Sequence, residues 1–261
     1  MRKVAAFLLL APLLLGLAGC GGAKARPLSI DEYYDRMLET QDVIIQSVSD
    51  SSDSLGSINQ PDYYQMIDLE NVLLDTAGVF KNAKRDAVAM NTPPEVEDAQ
   101  KESIAYYSLG EDVVGEIASD VAFFRDVLPM LTDVRNLALA NMVDNADLAR
   151  IKAAAAEDAS TMHSYDKDLN GMNPPPGLEP YKETLINFFH SIENGVADVD
   201  RAITPEDRSD FLQFKQDFEG ILHQRDLYIT RFLAFFMDFR IRLDYLVDAA
   251  MNREAKFDYE Q

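Results

Sequence analysis

Apolar positions recur along this chain at steps of three and four, and no run alternates apolar and polar residues as a strand would. The pattern predicts an all-α protein. Ser29 stands just ahead of Asp31 and Glu32 and reads as an N-cap with an acidic first turn. A first helix runs from there toward Val48, and the polar stretch SVSDSSDSLGS (47–57) breaks it. Pro61 suits a first helical turn, so a second helix continues to about Ala89. MNTPPEVE (90–97) ends that helix, because the residue before a proline is pushed out of helical geometry. A third helix starts near Pro94 and continues toward Met142, kinked or split at Pro129. A fourth covers about 146–169, NGMNPPPG (170–177) stops it, and a fifth runs over 179–203. Thr204-Pro205 reads as an N-cap followed by an N1 proline, opening a last helix that reaches toward Glu254.

Two of these joints resemble each other. MNTPPEVE at 90 and MNPPPGLE at 172 lie 82 residues apart, and at that offset 86–121 aligns with 168–203 without a gap, nine of 36 positions being identical. Tyr106-Tyr107 then falls on Phe188-Phe189. Shared helical pattern supplies part of this match; a duplicated unit of helix, proline turn and helix (62–121 and 144–203) would supply all of it. Short joints favour antiparallel neighbours. The expected architecture is an elongated up-and-down bundle closed by a long C-terminal helix.

That last helix carries an apolar seam from Phe211 through Phe214, Phe218, Ile221, Tyr228, Phe232, Phe235, Phe239 and Leu246, interrupted by Arg225 and Arg242. Between Leu227 and Val247 the other faces are apolar too, with Ile229, Leu233, Phe236, Ile241 and Leu243. A helix of this kind is either central or a membrane span. The charges at Arg231, Asp238, Arg240, Arg242 and Asp244 exclude the span. Burial on several sides is therefore expected, by the chain's own bundle, a protein partner or a second copy. Asp238 with Arg242, and Arg240 with Asp244, are spaced to pair along the helix. Phe235 reads as a core residue whose truncation costs about 3–5 kcal/mol.

The amino-terminal segment follows a different logic. Arg2 and Lys3 precede an apolar stretch from Val4 to Leu17, the layout of an export signal too short to span a bilayer. Leu17-Ala18-Gly19-Cys20 resembles the lipobox of bacterial lipoproteins at all four positions. That resemblance implies lipidation of Cys20, the only cysteine, and cleavage before it. Residues 1–19 are then a signal peptide, 20–28 the lipidated cysteine and its tether, and 29–261 the helical domain. Each buried CH2 contributes about 0.8 kcal/mol, and two or more acyl chains anchor stably. The implied location is membrane-anchored and extracytoplasmic. With Gly21 rather than aspartate after the cysteine, it is the outer membrane where the organism has two.

Composition narrows the partners. The chain has 24 Lys and Arg against 45 Asp and Glu, and losing Arg2 and Lys3 with the signal leaves 22 against 45, a net charge of −23. Nucleic acid needs clustered cations and is excluded as a partner, as is a body lying flat on anionic lipid. A single cysteine permits no disulfide within the chain, so stability rests on packing, for which 14 Phe, 11 Tyr and 10 Met are available.

Candidate chemistry is sparse. DKDLNG (166–171) resembles the opening of an EF-hand loop, with Asp166, Asp168 and Asn170 as calcium ligands. The twelfth position, however, is Gly177 instead of glutamate. The alternative is a helix end with Asn170-Gly171 as a left-handed cap. His190 with Glu193, and His223 with Glu219 and Asp226, share helix faces, yet no Glu stands three before a histidine as in ferritin-type metal sites. No nucleophile elbow, His-Glu-x-x-His or phosphate-binding glycine loop occurs. The aromatic pairs Tyr106-Tyr107 and Phe188-Phe189 are either core or the lining of a ligand groove. No enzyme activity and no cofactor are expected. The expected function is a lipid-anchored interaction or envelope-structural module; the alternative is a bundle that captures a small ligand or a cation.

Overall fold

A computed structural model describes residues 26–260, and among these there are six α-helices and no strand. They are α1 (Ile30–Ser57), α2 (Tyr63–Ala89), α3 (Glu97–Asp133), α4 (Leu148–Gly171), α5 (Glu179–Ala202) and α6 (Ser209–Glu260). The protein is an elongated, all-α, up-and-down bundle. At 52 residues α6 is about 78 Å long and forms its spine. Its C-terminal half packs against α1 and α3: Tyr34 meets Phe257 at 5.6 Å, and the Tyr106 hydroxyl donates to the Leu246 carbonyl at 2.8 Å. Its N-terminal half packs against α5, where Phe188 meets Tyr228 at 5.2 Å. Helices α2 and α3 form one hairpin, α4 and α5 another.

The two hairpins share a register. Helices α2 and α4 end at Ala89 and Gly171, and α3 and α5 begin at Glu97 and Glu179, all at the offset of 82. Each joint is closed alike. The Gln100 amide donates to the carbonyls of Ala87 and Met90, and the Lys182 ammonium, 82 residues on, donates to those of Asn170 and Met172. Both side chains satisfy carbonyls that a helix end leaves without backbone partners. The aromatic pairs fall at matching places and are buried.

Where the hairpins meet α6, Phe124 lies 4.5 Å from Phe232, and Tyr181 lies 5.6 Å from Phe232 and 6.0 Å from Phe124. These rings join both halves into one core. Offset and edge-on arrangements of this kind add stabilisation beyond area burial.

Several sequence expectations need correction. Residues 47–57 do not break α1, which continues to Ser57. Ser51 is buried and its hydroxyl lies 2.9 Å from that of Thr76, while Ser52 donates to Asp244 at 2.7 Å. Small polar residues here let α1 approach α2 and α6 closely, with their hydroxyls satisfied. Pro61 precedes the second helix instead of opening it; Asp62 is the N-cap, accepting from the amides of Tyr64 and Gln65. Pro129 does not split α3. The helix continues through it to Asp133, not on toward Met142, and residues 137–147 are irregular. Thr204 caps only a turn, accepting from the Asp207 amide, and α6 begins at Ser209. Ser29 does form the anticipated cap, with Glu32 completing a capping box.

Candidate functional site

Of the candidate site residues, Cys20 lies outside the described residues. Asp166, Asp168 and Asn170 all lie within α4, so no calcium loop forms. Residues two apart on a helix point to different sides. Asp168 is accordingly exposed, while Asp166 is buried and accepts from the Asn170 amide at 3.0 Å. The left-handed cap is absent too: among the described residues the one glycine with positive φ is Gly177 (φ 93°), and Lys182 closes the end of α4 instead.

The hairpin of α4 and α5 brings together two histidines that the sequence does not connect. His163 Nδ1 lies 3.3 Å from Glu193 Oε1, and His190 lies 3.6 Å from Glu193 through Nδ1 and 3.3 Å from Asp166 through Nε2. His190 thus turns its two nitrogens toward different carboxylates, and the donors do not converge. Among the described residues no group of three or more His, Cys, Asp or Glu side chains is arranged to hold a metal. His223 is exposed, and Asp226 pairs with Arg135 at 3.3 Å and with Arg225.

The aromatic pairs line no groove. Tyr106, Tyr107, Phe188 and Phe189 are at most 7% exposed, and the Tyr107 hydroxyl accepts from the Gln41 amide at 3.0 Å. Burial pushes both tyrosine phenols well above their usual range, so they remain neutral donors.

A cleft of about 980 Å3 lies at the waist, between the start of α2, the end of α3 and the middle of α6. Three of its polar groups are engaged at or beside helix ends. Asp62 caps α2, Asp133 accepts from Tyr165 at 2.6 Å, and the buried Arg225 donates through Nε to the Leu131 carbonyl at 2.8 Å. A cation at the C-terminus of α3 also complements that helix's dipole. The sequence shows Arg225 only as an interruption of the apolar seam; its role depends on α3 ending beside it.

The outer face of α6 is different. Tyr228, Phe232, Phe236, Phe239, Leu243 and Leu246 face inward and are buried, whereas Leu227 is 50%, Met237 59%, Ile241 65% and Tyr245 68% exposed. Phe235, expected in the core, is half-buried. It floors a groove of about 580 Å3 with Tyr181, Pro180 and Ala234, while Arg231 and Asp238 stand at its rim. The expected pairs along the helix do not form. Arg242 reaches Glu116 of α3 at 2.9 Å, and Asp244 accepts from Ser52 of α1. Arg231 lies over the Tyr228 ring at 5.5 Å, and neither it nor Asp238 has an ion-pair partner among the described residues.

The fold and this face define a helical bundle with an uncovered apolar stripe on its spine. No match to this chain is found among protein-family models, curated proteins or solved structures.

Proposed function

We propose that this chain is a lipid-anchored, extracytoplasmic interaction module that presents the outer face of its last helix to a protein partner. The observation that carries the reading is the stripe of Leu227, Met237, Ile241 and Tyr245 on α6, each half or more exposed. Contiguous apolar surface of this kind marks interaction sites. No described helix is long and apolar enough to cross a bilayer. Attachment rests on Cys20 and the lipobox resemblance.

Two measurements test the reading. Cells fed a labelled fatty acid incorporate it into the chain, and Cys20→Ser abolishes incorporation; an unlabelled wild-type chain removes the anchor. A photo-crosslinking residue at Ile241 gives specific adducts in cells, and one at Leu74, 51% exposed on α2, does not. Equal yields at both positions remove the interaction face.

A further inference from the structure

We propose that the partner of the outer α6 face is a second copy of this chain, packed antiparallel about a two-fold axis near residues 235 and 236. The inference rests on the reading of that face as an interaction surface and names its occupant.

The first argument is spacing. With successive residues 100° apart, Leu227, Thr230, Ala234, Met237, Ile241 and Tyr245 fall within about 60° of one line on the helix, opposite the buried seam. The first five follow steps of three, four, three and four, the pattern of a helix meeting another helix. The stripe from Leu227 to Tyr245 is about 27 Å long. A helix therefore fits it along its whole length, and the chain's own inward faces are already occupied by α1, α3 and α5.

The second argument is charge. Arg231 and Asp238 lie one heptad apart on the same flank of the stripe, and neither has an ion-pair partner among the described residues of its own chain. In an antiparallel pair each flank meets its own equivalent. The proposed axis sets Ala234 against Met237 of the second copy and Thr230 against Ile241. Arg231 then meets Asp238 of the second copy, and the symmetry makes the contact twice. In a parallel pair this flank would meet the other one. There Leu233 lies opposite Asp238, and Asp226 is already held by Arg135 and Arg225. Asp238 would lack a cation, so the charges select the antiparallel arrangement.

The third argument is shape. At the centre of the stripe the groove of about 580 Å3 opens beside Ala234, over Tyr181, Pro180 and Phe235. The proposed axis brings Met237 of the second copy to this groove. Methionine is the flexible apolar side chain best suited to filling such an irregular gap.

Sedimentation equilibrium of the purified chain tests the pairing. The wild type is a dimer. Arg231→Asp or Asp238→Arg alone places like charges together and weakens the dimer about tenfold or more, and the double variant restores it. Both substitutions lie on the exposed flank, and circular dichroism checks that each of the three variants remains folded. In a Cys20→Ser background, Ala234→Cys near the axis cross-links to its equivalent under mild oxidation. Tyr245→Cys does not, because its equivalent lies about 28 Å away along the axis. A monomeric wild type, charge reversals without effect, or ready cross-linking at position 245 overturns the proposal. Photo-crosslinking at Ile241 separates the two readings. Adducts of twice the chain's mass support the pairing. Adducts with other proteins alone leave the interaction face standing and sink the pairing, and no adduct at all sinks both.

Discussion

Replacing Asp120 with asparagine tests how the core of this acidic chain treats a buried charge. Asp120 lies on α3, is 6% exposed, and its Oδ1 has no hydrogen-bond partner among the described residues. Burial, followed by repulsion from Glu116, raises its carboxyl from 3.8 to about 6, and Arg242, which pairs with Glu116 at 2.9 Å, opposes the shift. The folded state therefore binds the proton more tightly than the unfolded chain does. This contribution to stability is fully present below about pH 3.8, falls as pH rises, and is gone above about 6. A shift of about two units at 1.36 kcal/mol each makes the charged carboxylate a liability of at most about 3 kcal/mol at pH 7. Asp120→Asn removes the charge at nearly constant volume. We expect it to stabilise the protein at pH 7 by about 1–3 kcal/mol, the range allowing for an amide NH2 that must also find a partner. The gain shrinks toward zero near pH 4, where the folded carboxyl is protonated and the unfolded one is about half protonated. Urea unfolding followed by circular dichroism at pH 4, 5, 6 and 7 reads the effect as the difference between variant and wild type, so carboxylates common to both cancel. A difference that is flat across this range, or an asparagine variant that is less stable at pH 7, would refute the account of Asp120.

Other substitutions probe the packing. Phe232→Ala, at a fully buried ring in contact with Phe124, should cost about 3–5 kcal/mol, while Phe235→Ala at the half-buried groove should cost less than half of that; equal losses in urea unfolding would put Phe235 back in the core. At Gly110 an added Cβ would come within 2.2 Å of the buried Phe80 ring, so Gly110→Ala should destabilise by about 1–3 kcal/mol, and an unchanged midpoint would contradict this close approach. Arg225→Met strips the end of α3 of its buried donor and Asp226 of one cation. It should cost about 2–4 kcal/mol, and amide hydrogen exchange should rise first around residues 129–136; uniform protection there would show that the arginine is not the cap.

Local sequence alone determined the helices and most of their ends. The capping box at Ser29, the proline joints and the inward seam of α6 are written in residues at most four or seven apart, the range over which helix geometry acts. The offset of 82 between the joints is legible for the same reason, and the structure places helix ends and starts at that spacing. What the sequence did not reveal depends on neighbours far along the chain. Residues 47–57 look like a break because serine and aspartate compete for backbone bonds, yet Thr76 and Asp244 satisfy those serines and α1 runs on. Arg242 has Asp238 at the right spacing on its own helix but takes Glu116 on α3, because packing α3 against α6 brings that carboxylate nearer. Asp166 and Asn170 stay in a helix because Lys182 supplies the cap across the joint. The apolar character of α6 on nearly every side was plain in sequence, but only packing decided which side stays uncovered. One helix has room for a limited number of neighbours, and α1, α3 and α5 take the inward faces and leave Leu227, Met237, Ile241 and Tyr245 outside.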